Sequence, residues 1–228
     1  MKLFLTVVFS IALPTVFFAQ EISRDQKFQQ IKELNAQIDK VVQDLLLPTA
    51  SDKREADLEG VAVFRLMPRE IFGRTIAIPS GGGSYYSFST KSHDYGKVPS
   101  ISLEQGGLHS GFAGGDYGLI ADLGELPLSR ITSETPEIAY LLKYRAATNI
   151  IDARVERRNT WGESATYKGR VLAIVGHSYA IRAINYGGAD VVVAFKIARK
   201  DGDGSLTIFW KMMGDFGKPT LDPNIREN

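Results

Sequence analysis

The stretch ADVVVAFKIARK-DGDG-SLTIFWKMM, residues 189–213, contains two segments in which apolar and other residues alternate, separated by a glycine-rich turn. A period of two is typical of β-strands that present one face to a core. Asp-Gly pairs tolerate the positive φ angles that a tight hairpin requires. With the preceding segment SYAIRAIN, the pattern predicts a three-strand antiparallel meander over residues 178–213. The alternating residues are Val191, Val193, Phe195 and Ile197 in the first segment and Leu206, Ile208, Trp210 and Met212 in the second.

Short β-rich segments also precede the meander, and turn residues separate them. This spacing predicts an antiparallel sheet or barrel. The glycine-rich residues 106–124 predict tight turns around two short strands, and residues 136–147 have helical spacing. Residues 150–169 are charged and predict either an irregular excursion or a second short helix. The fold class expected is therefore α+β, mainly antiparallel β. The short β-rich segments are GVAVFRLM (60–67), RTIAI (74–78), SYYSFST (84–90) and SISLEQ (100–105).

An amphipathic helix is predicted near the N-terminus, over residues 23–47 within the segment 20–48. Ser23 and Gln26 form the spacing of a capping box, and Pro48 ends the helix. The apolar stripe either packs against the rest of the protein or forms a coiled coil with a second copy. Its three heptads are short for a coiled coil, so packing within the chain is favoured. The stripe consists of Phe28, Ile31, Leu34, Ile38, Val41, Val42 and Leu45.

The first 19 residues have the layout of a secretory signal peptide: one lysine, an apolar run and a small residue, Ala19, at the expected cleavage site. An uncleaved membrane anchor is the alternative, because the run is close to the ~20 residues that span a bilayer. Pro14 and the single cation favour cleavage. The predicted organisation is a signal peptide (1–19), a helix (20–48), a polar linker or short helical turn (49–59) and a β-rich domain (60–228). The expected location is the periplasm or the exterior of a bacterial cell.

The composition excludes several function classes. The chain has no cysteine, so disulfides, thiolate catalysis and cysteine-bound zinc are excluded. The full chain has 27 Lys and Arg against 26 Asp and Glu; loss of Lys2 with the signal peptide leaves a formal charge of zero. A neutral chain has no overall attraction for nucleic acid or for an anionic membrane. We therefore expect no nucleic-acid partner, and no stable membrane insertion after cleavage.

The segment VLAIVGHSYA, residues 171–180, resembles the strand and sharp turn that present a serine nucleophile in α/β-hydrolases. Such a site needs a helix after the serine and a histidine later in the chain. No histidine follows Ser178, and the residues after it alternate like a strand. The sequence therefore favours a loop or turn at His177 and Ser178, with a serine-type hydrolase centred on Ser178 kept as the alternative function.

The segment SGGGSYYSFSTKSHDYG, residues 80–96, carries the candidate ligand-binding residues Tyr85, Tyr86, His93 and Tyr95. Aromatic faces and hydroxyl groups suit a sugar, a peptide or a cell-wall fragment. The simpler interpretation is a hairpin end, with Tyr86 and Phe88 alternating into the core. No Gly-Lys-Ser/Thr follows the glycines, so they do not form a phosphate-binding loop.

No metal or cofactor is expected. Asp201, Asp203 and Ser205 resemble the start of an EF-hand, but Leu206 and Met212 stand where glycine and glutamate are required. The three histidines lack zinc-site spacing. The sequence contains no convergent set of acid, base and nucleophile. The function expected is a non-catalytic binding or assembly module for a small molecule, glycan or protein, with residues 23–47 as a candidate homo-oligomer contact.

Overall fold

The computed structural model of the chain describes residues 23–75, 82–162 and 166–222. The chain divides into two compact units, residues 1–38 and residues 39–228. The predicted signal peptide lies outside the described residues. Those described residues contain four α-helices: α1 (Arg24–Leu46), α2 (Ala50–Glu59), α3 (Pro136–Lys143) and α4 (Ile150–Thr160). They also contain nine strands: β1 (Ala62–Leu66), β2 (Tyr85–Tyr86), β3 (Ile101–Glu104), β4 (Gly107–His109), β5 (Tyr117–Asp122), β6 (Arg170–Leu172), β7 (Ser178–Asn185), β8 (Ala189–Lys200) and β9 (Leu206–Asp215).

The strands form two antiparallel sheets, in the orders β1-β9-β8-β7-β5 and β2-β3-β4-β6. The α+β class and the antiparallel character predicted from the sequence are therefore confirmed. Strands β7, β8 and β9 are the predicted meander, with Phe195 of β8 paired to Tyr179 on one side and to Trp210 on the other. The hairpin between β8 and β9 closes through a hydrogen bond from the amide of Asp201 to the carbonyl of Ser205.

The central strand β8 is buried on both faces. Its alternate residues Val191, Val193, Phe195 and Ile197 belong to the core that also takes side chains from the four-stranded sheet. The residues between them, such as Val192 and Ala194, belong to a second core that includes side chains of α2, α3 and α4. The five-stranded sheet is therefore the middle layer of the second unit, with the smaller sheet on one face and helices on the other.

Helix α1 begins at the predicted capping box: the Ser23 hydroxyl accepts from the Gln26 amide, and the Gln26 side chain accepts from the Ser23 amide. At its other end, Val42 and Leu46 are buried in a cluster with Met67 and Phe72. The other six residues of the predicted stripe are exposed, at 37% to 63% of their surface. Val42 is thus the one residue of the predicted stripe that is packed in the manner favoured by the sequence.

Two segments differ from expectation. Residues 49–59, predicted as a linker or short helical turn, form helix α2, in which Thr49 and Asp52 cap the first turn reciprocally. In the predicted strand at residues 74–78, Arg74 and Thr75 belong to a single π-helical turn, Glu70–Thr75, and the remaining residues lie outside the described ranges. Glu104 pairs with both Arg69 and Arg74 and so ties this turn to strand β3.

Candidate functional site

The four candidate ligand-binding residues separate into two groups because β2 sends neighbouring side chains to opposite faces. Tyr86 lies in the core, where its ring stacks on Phe64 with centroids 3.6 Å apart. His93 packs beside it, with the two ring centroids 5.0 Å apart. Tyr85 and Tyr95 meet on the other face, with ring centroids 4.7 Å apart. The structure therefore does not bring the four residues together at one site.

The pair of Tyr85 and Tyr95 belongs to an aromatic cluster with Phe112. The guanidinium of Arg69 lies 5.6 Å from the Tyr85 ring centre. Tyr85 itself is buried, and burial raises the pKa of its hydroxyl. Tyr95 is 45% exposed. Because the side chain of Tyr85 is buried, its ring packs against Tyr95 and is not accessible to a ligand.

His93 lines a cavity of about 510 Å³ between the end of helix α1 and residues 82–94. We call this space the His93 cavity. The segment 80–96 therefore lines a cavity through its histidine and polar residues. Its tyrosines are not among the lining residues. The polar lining residues are Asp39, Gln43, Lys91, Ser92, His93 and Asp94.

The imidazole of His93 carries a proton on Nε2. Its Nε2 lies 2.6 Å from the carbonyl oxygen of Arg65 and donates to it, because a carbonyl only accepts. Burial lowers the pKa of His93, although this hydrogen bond partly opposes the shift. A neutral ring with its proton on Nε2 leaves Nδ1 as a hydrogen-bond acceptor. The lining of the cavity therefore combines this imidazole with carboxylates and one ammonium group.

Backbone geometry shapes the rim of the His93 cavity. Gly83 has a φ of 85°, and a β-carbon on it would lie 2.3 Å from a methyl carbon of Leu46. Lys91 has a φ of 52°, a left-handed conformation that non-glycine residues seldom adopt. Asp94 accepts from the amide of Gly96 and so fixes the turn after the histidine. Strain of this kind is concentrated at functional sites, which makes the rim a candidate.

Asp39 and Gln43 were not predicted as site residues from the sequence. The apolar period of helix α1 predicted its buried face, yet no local signal indicates which loop the polar face meets. The capping box at Thr49 and Asp52 was also missed, although the spacing of the two residues is the usual signal for a helix start.

The geometry around Ser178 differs from that of a nucleophile. Ser178 is buried at the start of β7, and its hydroxyl donates to the carbonyl of Leu126 at 2.5 Å. The neighbouring His177 directs Nδ1 at Asp122, 3.0 Å away. The serine hydroxyl therefore donates its hydrogen bond to a backbone carbonyl and not to the imidazole of His177. In addition, Ser178 is followed by the rest of strand β7, whereas a nucleophile elbow is followed by a helix.

The carboxylates of the β8–β9 hairpin contact a guanidinium. Arg65 lies 2.8 Å from Asp201 and 3.8 Å from Asp203. Within the described ranges, no group of three or more His, Asp or Glu side chains is placed to hold a metal ion. In the same ranges, no helix combines the length and apolar character needed to cross a membrane.

No protein-family model, curated protein or solved structure matches this chain.

Proposed function

We propose that the protein is a non-catalytic binding module whose ligand occupies the His93 cavity. The observation that supports it is the fixed tautomer of His93, whose Nε2 is engaged by the Arg65 carbonyl at the wall of a polar cavity. A volume of about 510 Å³ lies within the range of roughly 300–1,000 Å³ for small-molecule sites. The walls carry two carboxylates and one lysine, so the ligand class that fits best carries an amino group and several hydrogen-bonding groups. A short peptide or an amino sugar meets this description.

The test is an NMR titration of the full chain with two probes, tetra-alanine and glucosamine. We expect shifts at residues 91–94 with at least one probe. Lys91→Gly removes the ammonium that can pair with the C-terminal carboxylate of tetra-alanine and relieves the left-handed strain, so it weakens binding of tetra-alanine by about tenfold without loss of stability. His93→Phe keeps an aromatic ring and removes both nitrogens, and His109→Phe is the matched control outside the cavity.

Two results would contradict the binding proposal. One is the absence of shifts at residues 91–94 with both probes at millimolar concentration. The other is binding that Lys91→Gly and His93→Phe leave unchanged while His109→Phe weakens it.

Export is also part of the proposal, because residues 1–19 combine one cation, an apolar run and a small residue at the expected cleavage position. Cell fractionation followed by N-terminal sequencing tests it. We expect mature protein beginning at Gln20 in the periplasm or the medium. Protein that retains Met1 in the cytoplasmic fraction would contradict this part of the proposal.

Self-assembly through residues 23–47 is a second candidate function. It is supported by the exposure of six apolar side chains of α1 at helical spacing. Exposed apolar patches of this kind mark interaction surfaces. A second copy of the helix would cover the stripe with matching side chains.

A further inference from the structure

A second cavity, of about 370 Å³, lies beside α3, α4 and β5, remote in sequence from the residues that line the His93 cavity. We call it the tyrosine cavity. Its volume is at the lower end of the range for small-molecule sites, which suits a single ring better than a long chain. Its principal lining side chains are Tyr140, Tyr144, Glu156, Asn159, Thr166 and Tyr167.

Two parallel tyrosine rings form one side of the tyrosine cavity. The centroids of Tyr140 and Tyr167 lie 4.4 Å apart, and the rings are inclined by only 11°. Tyr140 is 46% exposed although it belongs to a packed helix. Because the rings are stacked, each one fixes the orientation of the other and covers one of its faces, so the flat surface left for a ligand is an outer face of the pair. Flat aromatic surfaces pack well against the C–H face of a ring-shaped ligand.

A directional chain of hydrogen bonds fixes the polar side of the cavity. The hydroxyl of Tyr144 donates to Oε2 of Glu156 at 3.0 Å. Because the single hydroxyl proton of Tyr144 is used in that hydrogen bond, Tyr144 accepts from the hydroxyl of Tyr117, which lies 3.2 Å away. Tyr117 accepts in turn from the amide of Ala147. Burial raises the pKa of Tyr144, so its hydroxyl remains a donor and holds the carboxylate in one orientation.

We propose that the tyrosine cavity binds a neutral sugar ring of the aldopyranose class. The C–H face of the sugar packs on the tyrosine pair. The Glu156 carboxylate accepts from sugar hydroxyl groups, and the amide of Asn159 and the hydroxyl of Thr166 supply donors. A sugar ring presents one apolar face and a rim of hydroxyl groups, which is the arrangement that these walls complement.

The experiment is saturation-transfer NMR on the full chain with methyl glucoside, methyl galactoside and N-acetylglucosamine as separate probes. We expect saturation transfer to the ring protons of at least one probe. Tyr140→Ala removes half of the aromatic surface and weakens binding by about tenfold or more, while Tyr140→Phe, its matched control, retains binding. Glu156→Gln can still accept from Tyr144 but loses the charge, and it weakens binding by a similar factor.

Circular dichroism of each variant shows whether the fold is intact, and the exposure of Tyr140 makes its replacement tolerable. Lys91→Gly in the His93 cavity leaves sugar binding unchanged, so the two sites are tested independently. Absence of transfer to all three probes at millimolar concentration would overturn the sugar proposal. Transfer that persists equally in Tyr140→Ala and Glu156→Gln would also overturn it, because the sugar would then bind elsewhere.

Discussion

Gly83 is the residue at which backbone conformation and close packing coincide. Its φ of 85° is a region that side chains disfavour by roughly 1–2 kcal/mol, and its missing β-carbon leaves room for Leu46. Leu46 is itself buried in the cluster with Met67 and Phe72, so a shift of its side chain disturbs that packing. The third glycine of the sequence GGG is therefore required for the packing of α1 as well as for the turn.

We predict that Gly83→Ala lowers the free energy of unfolding by about 1–3 kcal/mol more than Gly60→Ala, because it adds overpacking to strain. Gly60 is the matched control, since its φ of 66° is similar and no atom lies within 4 Å of its would-be β-carbon. Urea denaturation of the two variants measures the difference. Equal losses would mean that Leu46 repacks without cost.

Asp52 connects helix α2 to the meander through an ion pair with Arg199, 2.6 Å away. The hydrogen bond from Arg199 lowers the pKa of Asp52 from 3.8 to about 2. Because the folded value lies below the unfolded value, the ionised carboxylate stabilises the folded state above pH 3.8. That stability is lost as the pH falls through about 2.

We predict that Asp52→Asn is less stable than the wild type at neutral pH, and that the difference in unfolding free energy shrinks as the pH falls from about 4 towards 2. Urea denaturation across that interval provides the measurement. Asp57→Asn, at an exposed position of the same helix, should track the wild type throughout. A difference between Asp52→Asn and the wild type that does not vary with pH would exclude ionisation of Asp52 as the cause.

At the scale of elements, helix α1 carries two different surfaces. Val42 and Leu46 pack against Met67 and Phe72, whereas Phe28 and Ile31 are more than half exposed. A helix stripe of this kind is stabilised when a second helix covers it. The element that the sequence predicted best is therefore also one that carries exposed apolar side chains at helical spacing.

We predict that the full chain is a dimer or larger oligomer in solution and that replacing Ile31 and Leu34 together by Gln converts it to a monomer. Gln29→Ala with Gln37→Ala is the matched control on the polar residues of the helix, and it should leave the mass unchanged. Light scattering coupled to size-exclusion chromatography measures the mass. A wild-type monomer would leave self-assembly without support.

Long periodic elements could be predicted from their period, whereas the short strands β1, β2 and β3 were indicated only as β-rich segments at 60–67, 84–90 and 100–105, without their bounds. Helix α1 and strands β7 to β9 span 8 residues or more each, so their periods are visible. Strand β2 has only two residues, and two residues show no period. The cavities could not be predicted for a different reason. Each is lined by residues that are far apart in the sequence, such as Tyr140 and Tyr167 in one and Gln43 and His93 in the other. These residues come to line one cavity only when the elements that carry them pack together. His93 adjoins a cavity, and its role as a ligand-binding residue stays a prediction.

At the scale of the whole molecule, the middle layer of the second unit explains why the hydrolase-like segment does not have the geometry of a nucleophile elbow. Strand β7 pairs with β5 and β8 along its length, so Ser178 begins a strand buried within a sheet. A nucleophile elbow needs the serine at a sharp turn between a strand and a helix. Here the preceding turn carries His177, and its imidazole faces Asp122.

We predict that a fluorophosphonate probe does not label the protein and that Ser178→Ala lowers the free energy of unfolding by about 1–3 kcal/mol, because the Leu126 carbonyl loses its buried donor. Mass spectrometry after probe treatment measures labelling, with a known serine hydrolase in the same reaction as the positive control. Ser89→Ala, outside the buried layer, is the control for stability. Labelling of the wild type that disappears in Ser178→Ala would show that the buried hydroxyl becomes reactive, and the binding-module proposal would then give way to a hydrolase.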